Sequence, residues 1–265
     1  MIWLRRLSRR GDGDGYPMTA PVVRQMASLG FNAPVTFLTG ENGCGKTTLI
    51  ELLAELSHAI RIDGNAAPGE KQRMIRDASG RFRLEMARRP ARCFYFHAEG
   101  FIRYTDGVYA MRAEAQRELD NLYAENRYGS DYARALASQP YAGALYQMEH
   151  MYEHDITARS HGESFLDFFG GRIGPGGLYL LDEPEAALSF FNQYVLLNMI
   201  RDAVAQDCQF IISTHSPVLT ALPGADIRQI DDGQITAVRY DELPGVCFLR
   251  DFLAAPQRYL RPVTD

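Results

Sequence analysis

Between an apolar run, Val35-Thr36-Phe37-Leu38, and an amphipathic stretch carrying Leu49, Leu52, Leu53, Leu56 and Ile60 lies Gly40-Glu41-Asn42-Gly43-Cys44-Gly45-Lys46-Thr47. The segment satisfies G-x-x-x-x-G-K-[ST] in full, with the strand before it and the helix after it that the pattern requires. No other feature limits the fold as tightly. The glycines let successive backbone N–H groups turn inward around phosphate oxygens, and the helix N-terminus adds its partial positive charge. Lys46 is expected to reach the outer phosphates, Thr47 to ligate Mg²⁺, and Thr48 to belong with the loop to the nucleotide site. Cys44 occupies a place that needs a small side chain. A thiol at a helix N-terminus is also open to a lowered pKa, so both readings of Cys44 stand.

Further compact apolar runs read as strands: Cys93-Phe94-Tyr95-Phe96, Leu178-Tyr179-Leu180-Leu181 and Gln209-Phe210-Ile211-Ile212-Ser213. Phe190 to Ala205 reads as a helix between the last two, and Ile227–Ile230 with Ile235–Arg239 as a hairpin around Asp231-Asp232-Gly233-Gln234. Strands alternating with helices predict an α/β fold on a largely parallel central sheet. The first helix is expected to run through Ile60 and break near Gly64-Asn65. Residues 105–160 lack strand signals and read as a helical lobe or insertion in a single domain spanning 1–265. Near the start, Ile2 to Leu7 reads as an N-terminal strand and Gly11-Asp12-Gly13-Asp14-Gly15 as a hairpin tip. That glycine-aspartate run lacks the glutamate that closes a calcium loop.

Composition narrows the class. The 265 residues are 46% hydrophobic and 23% charged, with a net charge of −5. That suits a soluble globular chain and speaks against disorder, a rod or a uniformly basic nucleic-acid coat. The four cysteines, Cys44, Cys93, Cys208 and Cys247, form no CxxC pair and fit a reducing compartment. No apolar stretch is long enough to span a bilayer, and Met1-Ile2-Trp3-Leu4-Arg5-Arg6 has no apolar core behind it to make a signal peptide. A cytoplasmic location is expected. One basic segment stands out, with Lys71, Arg73, Arg76, Arg81, Arg83, Arg88, Arg89 and Arg92 against Asp77 and Glu85. Contacts to nucleic-acid phosphates are one reading; a solvated surface is the favoured one.

A second set of residues completes a site. Leu178–Leu181 ends in Asp182-Glu183, and an acid at the C-terminal end of a central parallel strand points into the ligand crevice. Asp182 is expected to hold Mg²⁺ and Glu183 to polarise an attacking water as general base. Ser160-His161-Gly162-Glu163 precedes an apolar helix. Ser160 and Glu163 form a capping box there, and the same helix start offers an anion site. His215 follows the strand ending at Ser213 and is placed to hydrogen-bond a terminal phosphate.

These four elements, in this order, resemble the ATP-binding-cassette (ABC) class of P-loop ATPases. Gly40–Thr47 looks like Walker A, Leu178–Glu183 like Walker B, Ser160-His161-Gly162-Glu163 like the signature sequence and His215 like the switch histidine. The longer strings Ser160-His161-Gly162-Glu163-Ser164-Phe165 and Leu181-Asp182-Glu183-Pro184-Glu185-Ala186-Ala187-Leu188-Ser189 resemble small soluble bacterial ATPases of the AAA_21-like branch. Phe96-His97-Ala98-Glu99-Gly100-Phe101, Arg250-Asp251-Phe252-Leu253 and Arg258-Tyr259-Leu260 fit that branch too. The resemblance implies ATP and Mg²⁺ as ligands. It also implies a homodimer sandwiching two nucleotides, each touching the Walker A loop of one chain and Ser160, Gly162 and Glu163 of the other. Departures are Ser189 where an aspartate is usual, His161 where a glycine is usual, and the absence of a clear glutamine after Phe96. Glu99, beside His97, stands near that place and is a candidate toward Mg²⁺. Tyr16 and Phe31 are candidates to stack on adenine.

The interval from Lys46 to Ser160 is too short for a long coiled coil, no nuclease domain is expected in the stretch after His215, and no coupling helix to a membrane partner is identifiable. The expectation is a stand-alone ATP hydrolase acting on an unknown protein partner. The alternative is an ATP-gated module for DNA or protein with little turnover. A small-substrate kinase fits poorly with the Asp-Glu pair.

Overall fold

The computed structural model describes residues 1–62, 69–124, 130–150 and 161–260. Its centre is a seven-stranded sheet. The strands that build it and its flanking sheet are β1 (Leu4–Arg9), β2 (Ser28–Gly30), β3 (Val35–Gly40), β4 (Ile60–Ile62), β5 (Phe82–Met86), β6 (Arg92–His97), β7 (Gly177–Asp182), β8 (Gln209–Ser213), β9 (Asp226–Asp231) and β10 (Gln234–Val238). The large sheet has the order β10-β9-β3-β8-β7-β6-β4. Every pairing in it is parallel except the β9–β10 hairpin. A second sheet, β2-β1-β5, is antiparallel.

β7 and β8 are buried along their whole length, as strands covered on both faces must be. Their side chains alternate between two cores. Leu38, Leu178, Leu180 and Ile211 face one core with the N-terminal sheet and the helix α2 (Lys46–Leu56), the second after α1 (Pro21–Gln25). Phe37, Tyr179, Leu181, Phe210 and Ile212 face the other. That second core is aromatic. Phe96 meets Phe169 edge-on at 5.2 Å and Phe101 meets Phe165 at 5.1 Å. These contacts seat α4 (Ala98–Ala124) and α6 (His161–Gly170) against β6; α3 (Glu70–Ala78) and α5 (Asp131–His150) precede α6 in the chain. α7 (Phe190–Val204) covers the same face, and α8 (Pro244–Ala254) follows the hairpin.

Several expectations are corrected. α2 ends at Leu56, because His58 takes φ 53° and turns the chain, so Ile60 opens β4 instead of extending the helix. Gly64 and Asn65 lie outside the described residues. The first strand is Leu4–Arg9, not Ile2–Leu7. Gly11–Gly15 is no hairpin tip, since α1 intervenes before β2 pairs with β1. The helical stretch expected from residue 105 begins at Ala98, where β6 ends. Several arginines of the basic segment are engaged within the chain. Arg76 pairs with Glu55 at 2.9 Å, Arg83 with Glu85 at 3.7 Å, and Arg81 donates to the Asp12 carbonyl at 3.1 Å. Among the described residues no helix is long and apolar enough to cross a membrane.

Candidate active site

Register brings the site together. In the parallel sheet Asp182 pairs with Ser213 on one side and with His97 on the other. Ser213 also pairs with Leu38, two residues before the loop that leaves β3. The ends of β3, β8, β7 and β6 therefore form one row at the carboxyl edge of the sheet, where open α/β folds bind ligands.

The loop after β3 is shaped by glycine. Gly40, Gly43 and Gly45 have φ of 144°, 82° and 105°. A Cβ at Gly40 would lie 2.3 Å from the Ile230 carbonyl oxygen, and one at Gly45 would lie 2.5 Å from Val22 Cγ1. Lys46 is buried, and its Nζ donates to the loop's own carbonyls, Gly40 O at 2.9 Å and Glu41 O at 3.0 Å. Glu41, Asn42 and Gly43 are exposed at the rim and Cys44 is half-buried. Thr48 is buried and accepts a hydrogen bond from the Tyr16 hydroxyl at 3.1 Å.

Thr47 Oγ1 donates to Asp182 Oδ1 at 3.2 Å, and the Ser213 hydroxyl donates to the same oxygen. Asp182 is wholly buried, and its Oδ2 has no hydrogen-bond partner. Burial raises the Asp182 carboxyl above its ordinary range, opposed by Ser213, His97 and Thr47, which favour the charged form. An orphaned carboxylate oxygen beside a threonine hydroxyl is an all-oxygen donor set, and it fits a hard cation such as Mg²⁺. Mg²⁺ commonly takes one or two carboxylates plus substrate phosphates, so a larger acidic cage is not required.

Glu183 sits at φ 48°, ψ 51°, a left-handed conformation that non-glycine residues adopt at a cost. Its N–H is held by the Ser213 carbonyl at 3.0 Å. The twist brings Glu183 Oε1 to 3.6 Å from His215 Nε2. Burial, then Lys46, pushes the His215 imidazole below its ordinary range, against Glu183. A neutral imidazole at neutral pH keeps one N–H to donate to a phosphate oxygen. A cavity of about 390 Å³ opens beside Gly40, Glu41 and His215, walled by Ile230, Leu243 and Val246.

Comparison with known proteins decides the family. The chain is 31% identical over 225 residues to the hemin import ATP-binding protein HmuV of Burkholderia pseudomallei, covering 77% of this chain and 76% of that one. The chain belongs to the ATP-binding-cassette class of P-loop ATPases. It is also 31% identical over 197 residues to the cobalt import ATP-binding protein CbiO of Salmonella paratyphi A, covering 74% and 66% of the two chains. Residues 164–221 match a family model described as "AAA domain, putative AbiEii toxin, Type IV TA system". Among solved structures, the SMC head domain from Thermotoga maritima is 16% identical with a TM-score of 0.44, covering 89% of this chain and 98% of that one.

Within this ABC-class chain the remaining candidates fall as follows. Ser160 lies outside the described residues. Gly162 is buried in the first turn of α6. A Cβ there would lie 2.8 Å from Asn192 Nδ2 and 3.0 Å from the Ala187 carbonyl oxygen, so it packs against the segment after Walker B of its own chain. Glu163, in the same turn, is exposed. Ser189 caps α7 by accepting the Asn192 N–H at 3.2 Å. Glu99 is exposed in the first turn of α4, and the group that approaches Asp182 is His97, with Nε2 at 3.7 Å from Asp182 Oδ2. Phe31 is buried in the core and has no free face for adenine. Ser213 and Glu185 escape a reading of the sequence, because a serine ending an apolar strand and an acid after Pro184 carry no local signal of their partners.

Proposed function

We propose that this ABC-class chain binds Mg-ATP on Gly40–Thr48 and hydrolyses it, working as an ATP-dependent homodimer that drives or gates a protein partner. One observation carries the reading. Lys46, Thr47, Asp182, Glu183 and His215, from three strand ends, converge on a single edge of the sheet, with an Asp182 oxygen that has no hydrogen-bond partner among them.

Each residue has a physical role. The loop N–H groups and the α2 N-terminus hold phosphate oxygens. Lys46 gives up the Gly40 and Glu41 carbonyls for the outer phosphates, a charge-assisted exchange. Thr47 and Asp182 hold Mg²⁺, which, when bound, offsets charge on the phosphate oxygens. Glu183 orients the attacking water and accepts its proton, and neutral His215 donates a hydrogen bond to the terminal phosphate. In the dimer, Glu163, exposed in the first turn of α6, faces the nucleotide of the second copy. The relatives are named for hemin and cobalt import. Likeness to them supports ATP binding here.

The test measures Mg-ATP hydrolysis and solution mass for wild type and Glu183→Gln. Expected are turnover by the wild type, a loss of about 100- to 10,000-fold in the variant, and an ATP-dependent dimer trapped by it. Tight ATP binding with no turnover in either protein would favour the ATP-gated module, and screening would then begin with DNA.

A further inference from the structure

Two glutamates of one turn reach the same histidine. Glu183 approaches the His215 ring, whereas Glu185 Oε1 accepts the His215 backbone N–H at 2.6 Å. The turn that carries both is held in place: Pro184 is buried, the Ala186 N–H binds the Glu183 carbonyl at 3.0 Å, and the Leu188 N–H binds the Glu185 carbonyl at 3.0 Å. The other Glu185 oxygen, Oε2, is buried without a hydrogen-bond partner. A largely buried carboxylate with an orphaned oxygen disfavours folding. Burial accordingly raises the Glu185 carboxyl above its ordinary range, opposed by the His215 N–H and the Thr214 hydroxyl. Apolar packing alone would not call for a carboxylate at this place.

The segment it holds is fixed on either side. The Thr214 N–H binds the Leu38 carbonyl at 3.1 Å, and Ser216 Oγ donates to Gln193 Oε1 at 2.6 Å. His215 lies between them and is exposed. Its backbone N–H is bound directly by the carboxylate of Glu185, from the turn that follows Walker B.

We propose that Glu185 is a positioning residue that fixes the His215 backbone so that its ring meets Glu183, setting the rate of turnover and not the affinity for nucleotide. The proposal rests on the hydrolase reading above. It adds a residue outside the five that converge on the phosphate site.

The full chain is compared as wild type, Glu185→Ala, Glu185→Asp and Glu185→Gln. Gln keeps an acceptor oxygen at the same reach. Asp keeps the charge but is one methylene short. Ala and Asp are expected to lower kcat by roughly 10- to 100-fold with little change in KM for Mg-ATP, as for a misplacement on the ångström scale. Gln is expected to restore most of the rate. The second readout is the His215 amide resonance in nitrogen-15 spectra. It lies downfield in wild type and Gln, and moves upfield in Ala and Asp. If Ala fails to fold, Asp carries the test. Equal kcat across the series, KM rising in step with lost kcat, or Gln as slow as Asp would overturn the proposal. Absence of turnover in wild type would sink the hydrolase reading instead. The amide resonance would then decide: unmoved in Asp overturns the clamp, moved upholds it.

Discussion

Thr47 Oγ1 lies 3.2 Å from Asp182 Oδ1, a bond that spans 135 residues of sequence and joins the phosphate loop to the acidic strand end. Both oxygens are of the kind a hard cation prefers as ligands, and the second Asp182 oxygen is buried without a hydrogen-bond partner.

Asp182→Asn keeps the shape and removes the charge. The variant is expected to fold and to bind nucleotide equally with Mg²⁺ or with a chelator present. The wild type is expected to bind more tightly with Mg²⁺. Fluorescent-nucleotide titrations measure this, and a retained Mg²⁺ preference in the variant would assign the metal elsewhere.

Gly45→Ala places a methyl at φ 105° and against Val22 Cγ1. The backbone strain alone costs on the order of 1–3 kcal/mol, and the contact adds to it. Urea unfolding is expected to show that loss. Adding Val22→Ala relieves the contact but not the strain, so only a partial recovery is expected for these coupled neighbours.

Phe169 is wholly buried among Phe96, Phe165 and Tyr179. Phe169→Ala is expected to lower stability by about 3–5 kcal/mol. Phe190, 69% exposed at the start of α7, is expected to change it by less than about 0.5 kcal/mol. Comparable losses at the two positions would mean that the Phe190 face is covered in solution.

Glu51 is held at 3.6 Å from Arg61, yet burial outweighs that partner and raises its carboxyl above the ordinary 4.5. A raised folded-state pKa means that the folded chain binds this proton more strongly than the unfolded chain. The stabilising contribution is therefore complete below the ordinary value and is lost as pH climbs through the raised one. Glu51→Gln is neutral throughout. Its melting temperature is expected to exceed that of wild type near about pH 8, with the advantage vanishing toward about pH 4. A constant difference across that range would point to packing instead of charge.

The parts of the fold legible in the sequence were those with local causes. The phosphate loop announced itself because positive-φ glycines, a following lysine and a flanking strand and helix are all neighbours in sequence. β7 and β8 were plain because strands buried on both faces are apolar throughout. The end of α2 was not legible. Leu56 and Ile60 share a helical spacing, and only the turn at His58 and pairing of Ile60 with Phe94 separate them.

The sequence by itself determined the chemistry on offer: a phosphate-binding loop, two acids ending an apolar strand, and a histidine after another. The tertiary structure decided which of these residues meet. Strand register put His97 and Ser213 on either side of Asp182, left Glu99 on the surface, buried Phe31, and brought Glu185 to the His215 backbone. The reason is one of range. Turn and helix signals act over a few residues, while the contacts that complete this site depend on sheet order, which is settled by packing both cores at once.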